Sequence, residues 1–506
     1  SSPARSTAAA IPAARSPKPE SIIPSFTQGT PTLITITRAL ARQLRAVFRR
    51  AGIGKAYGGY RQQVLFLTVG DTLRIRGLSR NAAIEYQSAH QGDPVEALVP
   101  LDLLAACDGS RPDPVQLDFT VPDKVTASWS DKQVPVVLDF AASTPDDTLP
   151  PFPPLPETFA SNDSGLWTAL REAAATTDQQ PHRFALSCVQ LCGSEGKIVA
   201  TDGQQALVQS GFAFPWSDDL LVPASDVFGC RELPGEQPIE VGKTEDWVTF
   251  MSGPWTISLK LEKESRFPDV SRHIGDPAAA TSHLRIAGSD GDFLTDALPR
   301  LPCNDETNNP ITLDLNGQVL IRGKGTDQSR ATELALSNSR LEGDAVTVNS
   351  NREYLLRALR LGFRDVHFYG REQPVLCEDG RRQLVWALLS PDSPIPSSPD
   401  LIRIASIQRQ ADDAGGHPQP RRSKTTVSEP TTQSPPTGEK PAMKVKRLTA
   451  HAKATPIEQA ITFRDSLRTA VVNANELIRN LKRQKREARL VQSTLASLKQ
   501  LQKAGA

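Results

Sequence analysis

Between residues 32 and 392 the apolar positions switch between the 3.6-residue period of a helix and the two-residue alternation of a strand, in the same order three times. The first helix runs from Thr37 to Gly52. Leu40, Leu44, Val47 and Phe48 fall at i, i+4, i+7 and i+8 and form its core stripe; Thr37 is suited to the N-cap and Gly52 to the C-cap. Further helix starts are read near Asn162 and Asp290, spaced by 125 and 128 residues. A hairpin follows each helix: Val64–Val69 turning at Gly70-Asp71 into Leu73–Arg76, Leu186–Leu191 into Lys197–Ala200, and Ile311–Leu315 turning at Asn316-Gly317 into Val319–Arg322. A short strand then leads into a second helix, at Leu98-Val99-Pro100, Leu221-Val222-Pro223 and Val348. A closing strand pair ends each unit: Val115–Phe119 with Val134–Phe140, Ile239–Val241 with Trp247–Met251, and Val366–Tyr369 with Leu384–Leu388. Three markers recurring at one spacing predict an α+β protein of three tandem domains, each with two helices on a mostly antiparallel sheet.

The expected boundaries are 32–147, 148–275 and 276–392. Six Pro within residues 1–31 predict a disordered N-terminal segment, and ten Pro within 391–441 predict an extended linker over 393–454. A long helix is expected over 455–506. Thr455-Pro456-Ile457-Glu458 supplies an N-cap, a Pro at the first helical position and a Glu at the third. Its apolar stripe includes Leu467, Val471, Ile478, Leu481 and Leu495, and Arg464, Lys485 and Gln492 interrupt it. It reads as a helical hairpin, a weak coiled coil or a partner-binding helix, and its basic cluster at 482–489 suits DNA phosphate, the acidic body or plain solvent.

The net charge of +1 conceals a segregation. Residues 1–60 hold 9 Lys/Arg against 1 acid and residues 401–506 hold 20 against 8, leaving 29 against 48 in between. A nucleic-acid contact must therefore use a local basic surface. One is available: Arg38, Arg42, Arg45 and Arg49 form a second stripe on the first helix, although a solvated helix face would carry the same residues. No run of about 18 apolar residues is present, so no membrane span is expected. Residues 1–15 lack the apolar stretch of a secretory signal, and the six scattered Cys read as reduced thiols of a cytoplasmic protein, with no metal or other cofactor expected. Enzyme signatures are missing: there is no HExxH, no Gly-x-Ser-x-Gly, and Gly323-Lys-Gly-Thr326 lacks the spacing of a phosphate loop. Asp290 and Asp292 are expected to cap a helix.

Several motifs together resemble the bacterial sliding clamp, the beta subunit of DNA polymerase III. They are Phe152-Pro-Pro-Leu-Pro-Glu157, Arg183-Phe-Ala-Leu186, Val199-Ala-Thr-Asp-Gly203, Val222-Pro223, Ser265-Arg-Phe-Pro-Asp-Val-Ser-Arg-His-Ile274 and Asn351-Arg-Glu-Tyr-Leu355. The resemblance covers about 32–392. It implies a non-catalytic, head-to-tail homodimer that encircles double-stranded DNA without reading sequence and tethers a polymerase loaded by a clamp loader. On such a ring the stripe Arg38, Arg42, Arg45 and Arg49, joined by Arg171, Arg352, Arg357 and Arg360, would face the phosphates.

The positions matching the family's partner-peptide groove are Leu186, Thr201, Gly203, Gln204, Gln205, Ala206, Pro268, His273, Leu384 and Trp386; ordinary inter-domain packing would use the same residues. The family's His-Arg-Leu after the ATDG turn is here Gln204-Gln205-Ala206, and its C-terminal Met-Pro-Met-Arg-Leu is Trp386-Ala-Leu-Leu-Ser390. These departures leave open a scaffold of clamp fold that no longer encircles DNA, or an accessory subunit whose tail alone binds nucleic acid.

Overall fold

The computed structural model describes residues 32–408 apart from 55, 58–59, 62, 148, 179–184, 306–307 and 327. The expected N-terminal segment, most of the expected linker and the expected C-terminal helix lie outside the described residues.

The first unit comprises β1 (Leu33–Thr37), α1 (Arg38–Arg50), a two-residue hairpin of β2 (Ala56–Tyr57) and β3 (Tyr60–Arg61), β4 (Gln63–Val69), β5 (Thr72–Leu78), β6 (Ala82–Ala89), β7 (Glu96–Pro100), α2 (Leu101–Cys107), β8 (Pro114–Asp118), β9 (Lys124–Asp131) and β10 (Val134–Ala141). Thr37 caps α1 as expected, its hydroxyl accepting from the Leu40 amide at 3.0 Å. Gly52 ends the helix with φ +81°, a conformation that costs a residue with a Cβ. The strands form two half-sheets, β7-β4-β5-β6 and β1-β8-β9-β10.

The second unit comprises β11 (Phe159–Asn162), α3 (Gly165–Ala174), β12 (Cys188–Cys192), β13 (Lys197–Thr201), β14 (Gln205–Ser210), β15 (Asp219–Pro223), β16 (Ile239–Lys243), β17 (Trp247–Ser252) and β18 (Trp255–Lys260). Its half-sheets are β15-β12-β13-β14 and β11-β16-β17-β18. The third comprises β19 (Ser282–Arg285), α4 (Gly288–Ala297), β20 (Pro310–Leu315), β21 (Val319–Gly323), β22 (Thr332–Leu336), β23 (Arg340–Gly343), β24 (Val346–Asn351), α5 (Arg352–Arg360), β25 (Asp365–Phe368), β26 (Val375–Glu378), β27 (Arg382–Trp386) and β28 (Ile402–Ala405). Its half-sheets are β24-β20-β21-β22 and β23-β19-β25-β26-β27, and β28 adds to β22.

Half-sheets of successive units fuse edge to edge. β6 pairs antiparallel with β18, from Ala82↔Leu259 to Tyr86↔Trp255, and β14 pairs antiparallel with β27, from Gln205↔Trp386 to Gln209↔Arg382. Both joints obey one rule: the last hairpin strand of a unit's first half-sheet meets the last strand of the next unit's second half-sheet. The helices form a row behind the sheets. α1 packs beside α2, a 3-10 turn at Asp226–Gly229 packs on both α1 and α3, and α4 packs on α5. One core spans the first two units, with Phe48, Phe66 and Phe250 fully buried, and a second fills the third unit around Phe363 and Phe368.

Five expectations are corrected. The helix expected after Pro223 is only the 3-10 turn Asp226–Gly229, because Val227, Phe228 and Gly229 are poor helix formers and Phe228 is held by stacking on Trp167 at 5.7 Å. β8 and β10 do not pair directly, since β9 lies between them; its Val125 and Ala127 alternate inward beneath a Ser/Thr-rich composition. β26 likewise separates β25 from β27. Asp290 is no cap: it is fully buried and accepts from the Asn338 amide at 2.9 Å, Asn338 Nδ2 at 2.8 Å and Ser339 Oγ at 2.6 Å, tying the 337–339 turn to α4. The chain also does not become a linker at 393 but stays ordered to β28.

Candidate nucleic-acid interface and partner groove

α1 carries five Arg and no acid, and the buried stripe Ala41, Leu44, Val47 and Phe48 turns its opposite face away from the sheets. The eight candidate DNA contacts divide into two groups. Arg42 and Arg49 of α1, Arg171 of α3 and Arg360 of α5 are exposed at the helix row. Arg45 is half exposed and reaches Asp108 Oδ2 at 2.6 Å. The other three guanidiniums are committed to protein acceptors. Arg38, with 13 % of its side chain exposed, donates to Asp131 Oδ1 at 3.1 Å and to the Asp108 carbonyl at 2.9 Å. Arg352 donates to the Leu301 carbonyl and, at 3.1 Å, to Asn309 Oδ1. Arg357 donates to the carbonyls of Glu172 and Ala175, each at 2.8 Å, and to Thr176 Oγ1 at 2.6 Å. It thereby joins α5 to the C-terminal end of α3, and burial lowers its pKa from the ordinary arginine value. Arg50, absent from the sequence expectation, ties α1 to the Gly229 carbonyl at 2.5 Å across the joint between the first two units. Nothing in the sequence separates bonded from free helix arginines, because their partners lie as far as 185 residues away.

The row is not uniformly basic. Exposed Asp226, Asp292 and Asp296 lie along it, so the positive field is concentrated at α1.

The groove candidates gather at the joint between the second and third units but differ in access. Leu384 and Trp386 are core residues; the Trp386 indole N–H donates to Ser350 Oγ at 3.1 Å. Ala206 is buried in β14, opposite Val385. Thr201 is buried too, its hydroxyl donating to the Gln205 carbonyl at 2.6 Å and accepting from the Gly203 amide at 3.0 Å. Asp202 Oδ1 takes the amides of Gln204 and Gln205 at 2.8 and 2.9 Å, which fixes the turn where the expected His-Arg-Leu is replaced. Gly203 and Gln204 are exposed, and Leu186 is half-buried beside Gly203, where a Cβ would sit 3.4 Å from its Cδ1. On the connector, His273 is exposed and Pro268 half-buried, while neighbouring Phe267, Val270 and Ile274 pack on Cys192, Val199 and Val208. The accessible part of the candidate groove is therefore the 202–205 turn with Leu186, Pro268 and His273. Among the described residues no group of three or more His, Cys, Asp or Glu is arranged to hold a metal ion, and no helix is long and apolar enough to cross a membrane.

No family model matches the sequence, and no curated protein matches it. Solved structures do. A sliding clamp, DNA polymerase III subunit beta, from Pseudomonas aeruginosa is 18% identical, with 71% of this chain and 100% of that chain covered at a TM-score of 0.60. The DNA polymerase III beta subunit of Thermotoga maritima is 13% identical, with 71% and 99% covered and a TM-score of 0.60. A putative DNA polymerase III beta subunit from Eubacterium rectale is 12% identical, with 71% and 99% covered and a TM-score of 0.59. Each likeness spans 99–100% of a clamp chain and leaves out more than a quarter of this one. The chain is thus built on the three-domain sliding-clamp fold of the DNA polymerase III beta subunits.

Proposed function

We propose that the protein is a DNA sliding clamp: a non-catalytic homodimer that encircles duplex DNA and tethers replication or repair proteins, among them a polymerase and the loader that opens the ring. The observation that carries this reading is the placement of exposed Arg42, Arg49, Arg171 and Arg360, without an ion-pair partner among the described residues, on the helix row of a clamp fold. In a closed ring that row faces the hole. Phosphate contacts from flexible guanidiniums give affinity without sequence preference, so the ring slides. Partner peptides would enter beside the 202–205 turn, where Gln204 and Gln205 stand in place of the family's His and Arg and would select a different peptide chemistry.

The test is charge reversal on α1. Arg42→Glu with Arg49→Glu removes two phosphate contacts and lowers the salt dependence of duplex binding by about 0.9 per contact, measured by anisotropy at several ionic strengths. Binding that is unchanged in this variant would place the contact elsewhere and refute the reading. A second reading, a clamp-fold scaffold that does not surround DNA, is favoured by one observation: the sheet edge at β22 is already paired to β28.

A further inference from the structure

The joint rule fixes what a second copy must do. Each internal joint unites the last strand of a first half-sheet with the last strand of the next second half-sheet over five residue pairs. Two such strands remain without an inter-unit partner: β22, ending the first half-sheet of the third unit, and β10, ending the second half-sheet of the first. β22 has five residues, the length of a joint. β10 exposes Val134 and Val137 at 62% each and Leu138 at 41%, an apolar edge of the kind that proteins cover. Head-to-tail closure therefore pairs β22 of one copy with β10 of another.

In this chain β22 is occupied. The chain leaves β27, crosses the third unit's sheet and lays β28 parallel to β22, from Thr332↔Ile402 to Ala335↔Ala405, covering four of the five joint positions. The crossing follows a polar row running over five strands: Asn349, Thr312, Arg322, Glu333 and Arg403 are register partners in sequence. Asn349 Nδ2 donates to the Ser390 carbonyl at 2.8 Å and the Ile395 amide to Thr312 Oγ1 at 2.8 Å. Arg322 Nε and Arg403 Nε both reach the buried Glu333 carboxylate at 2.7 Å. The contact is polar and ionised, so the groups bared when the strand leaves can be taken up by water, and Arg322 still pairs with Glu333 and Asp314. The outer face of β28 is exposed along its whole length, including Ile402 and Ile404, and parallel pairing is the weaker kind.

We propose that β28 is an intramolecular plug: a strand of the chain's own C-terminal extension that occupies the ring-closing edge and must leave β22 before a second copy's β10 can pair there. This rests on the ring reading. Closure is then set by the fraction of chains with β28 released, and whatever binds the 396–408 segment promotes the ring.

The test measures self-association of the full chain by sedimentation velocity over a range of concentrations. The amides of Ile402 and Ser406 donate to the carbonyls of Ala331 and Ala335 at 3.0 and 2.9 Å, so the alternation of the ladder aims the Ile404 amide at β22 as well. Ile404→Pro removes that donor at an exposed position and is expected to tighten dimerisation about tenfold or more. Ala335→Cys with Ala405→Cys places two thiols on adjacent strands, within disulfide range. Oxidation should hold this variant monomeric, and reductant should restore wild-type behaviour. Val137→Lys added to Ile404→Pro should cancel the gain.

If wild type, Ile404→Pro and the oxidised pair dimerise equally, the plug is refuted and the ring stands. Weaker dimerisation in Ile404→Pro also refutes it, because β28 would then bridge the two copies. If Ile404→Pro stays monomeric with native circular dichroism, the ring reading itself fails.

Discussion

Arg357 is the sharpest case of an arginine committed to joining two units. Its guanidinium makes three hydrogen bonds to the end of α3, to two helix carbonyls and one hydroxyl, from a helix of the next unit. Bonds to a charged donor contribute about 1.5–3 kcal/mol each at most, and the helix C-terminus favours a cation by about 0.3–1 kcal/mol. Water entering after truncation satisfies part of what is lost, so Arg357→Ala should cost about 2–4 kcal/mol at the joint between the second and third units. Arg357→Lys should recover only part of this, because one ammonium cannot span three acceptors in a fixed fork. Urea unfolding should show an earlier transition, and hydrogen exchange should accelerate at the amides of 175–178 and in α5. Duplex affinity should stay near wild type while the joint remains folded. Stability within about 0.5 kcal/mol of wild type together with a loss of DNA affinity equal to that of an Arg42 variant would refute the assignment.

Three further outcomes follow from the same packing. Trp386→Ala empties a buried site and unpairs Ser350, and should cost about 3–5 kcal/mol in thermal unfolding; a stable variant with altered peptide binding would return Trp386 to the groove surface. Burial raises the Asp290 pKa, but hydrogen bonds from Ser339, Asn338 and Ser406 outweigh it and hold the carboxyl below its ordinary 3.8. Its stabilisation is therefore complete above that value and is lost as pH falls through the folded pKa, and Asp290→Asn should flatten acid unfolding of the third unit below about pH 4 while lowering its stability at pH 7. Burial pushes the thiols of Cys107, Cys188 and Cys230 up to about 11 and Cys192 to about 12, and raises Cys377 as well, so half-buried Cys303 should be the first of the six to react with a thiol reagent under native conditions.

What could be read from the chain was local. The cap at Thr37, the stripe of α1 and the hairpins at Gly70 and Asn316-Gly317 are written in spacing a few residues long, and their recurrence reveals the three units. What escaped was set by distant partners. β9 hid in a Ser/Thr-rich stretch although Val125, Ala127 and Trp129 alternate, and β28 hid among prolines although Ile402 and Ile404 alternate. Arg38, Arg352 and Arg357 have the sequence context of exposed helix arginines, and only the fold supplies their acceptors. The burial of groove candidates Leu384, Trp386 and Ala206 was equally illegible, since they sit at a joint where strand pairing covers them.

Topological linkage to DNA is the central claim, and it can be measured without knowing the loader. The full chain is allowed to thread onto linear duplex with free ends; both ends are then blocked with bulky protein caps, and the complex is washed at high salt. Electrostatic contacts are screened under those conditions, whereas a closed ring cannot leave a blocked strand. Protein is expected to stay on the capped duplex, to be lost from an identical duplex with open ends, and to be retained in larger amount by Ile404→Pro. Equal loss from capped and open duplexes would contradict encirclement.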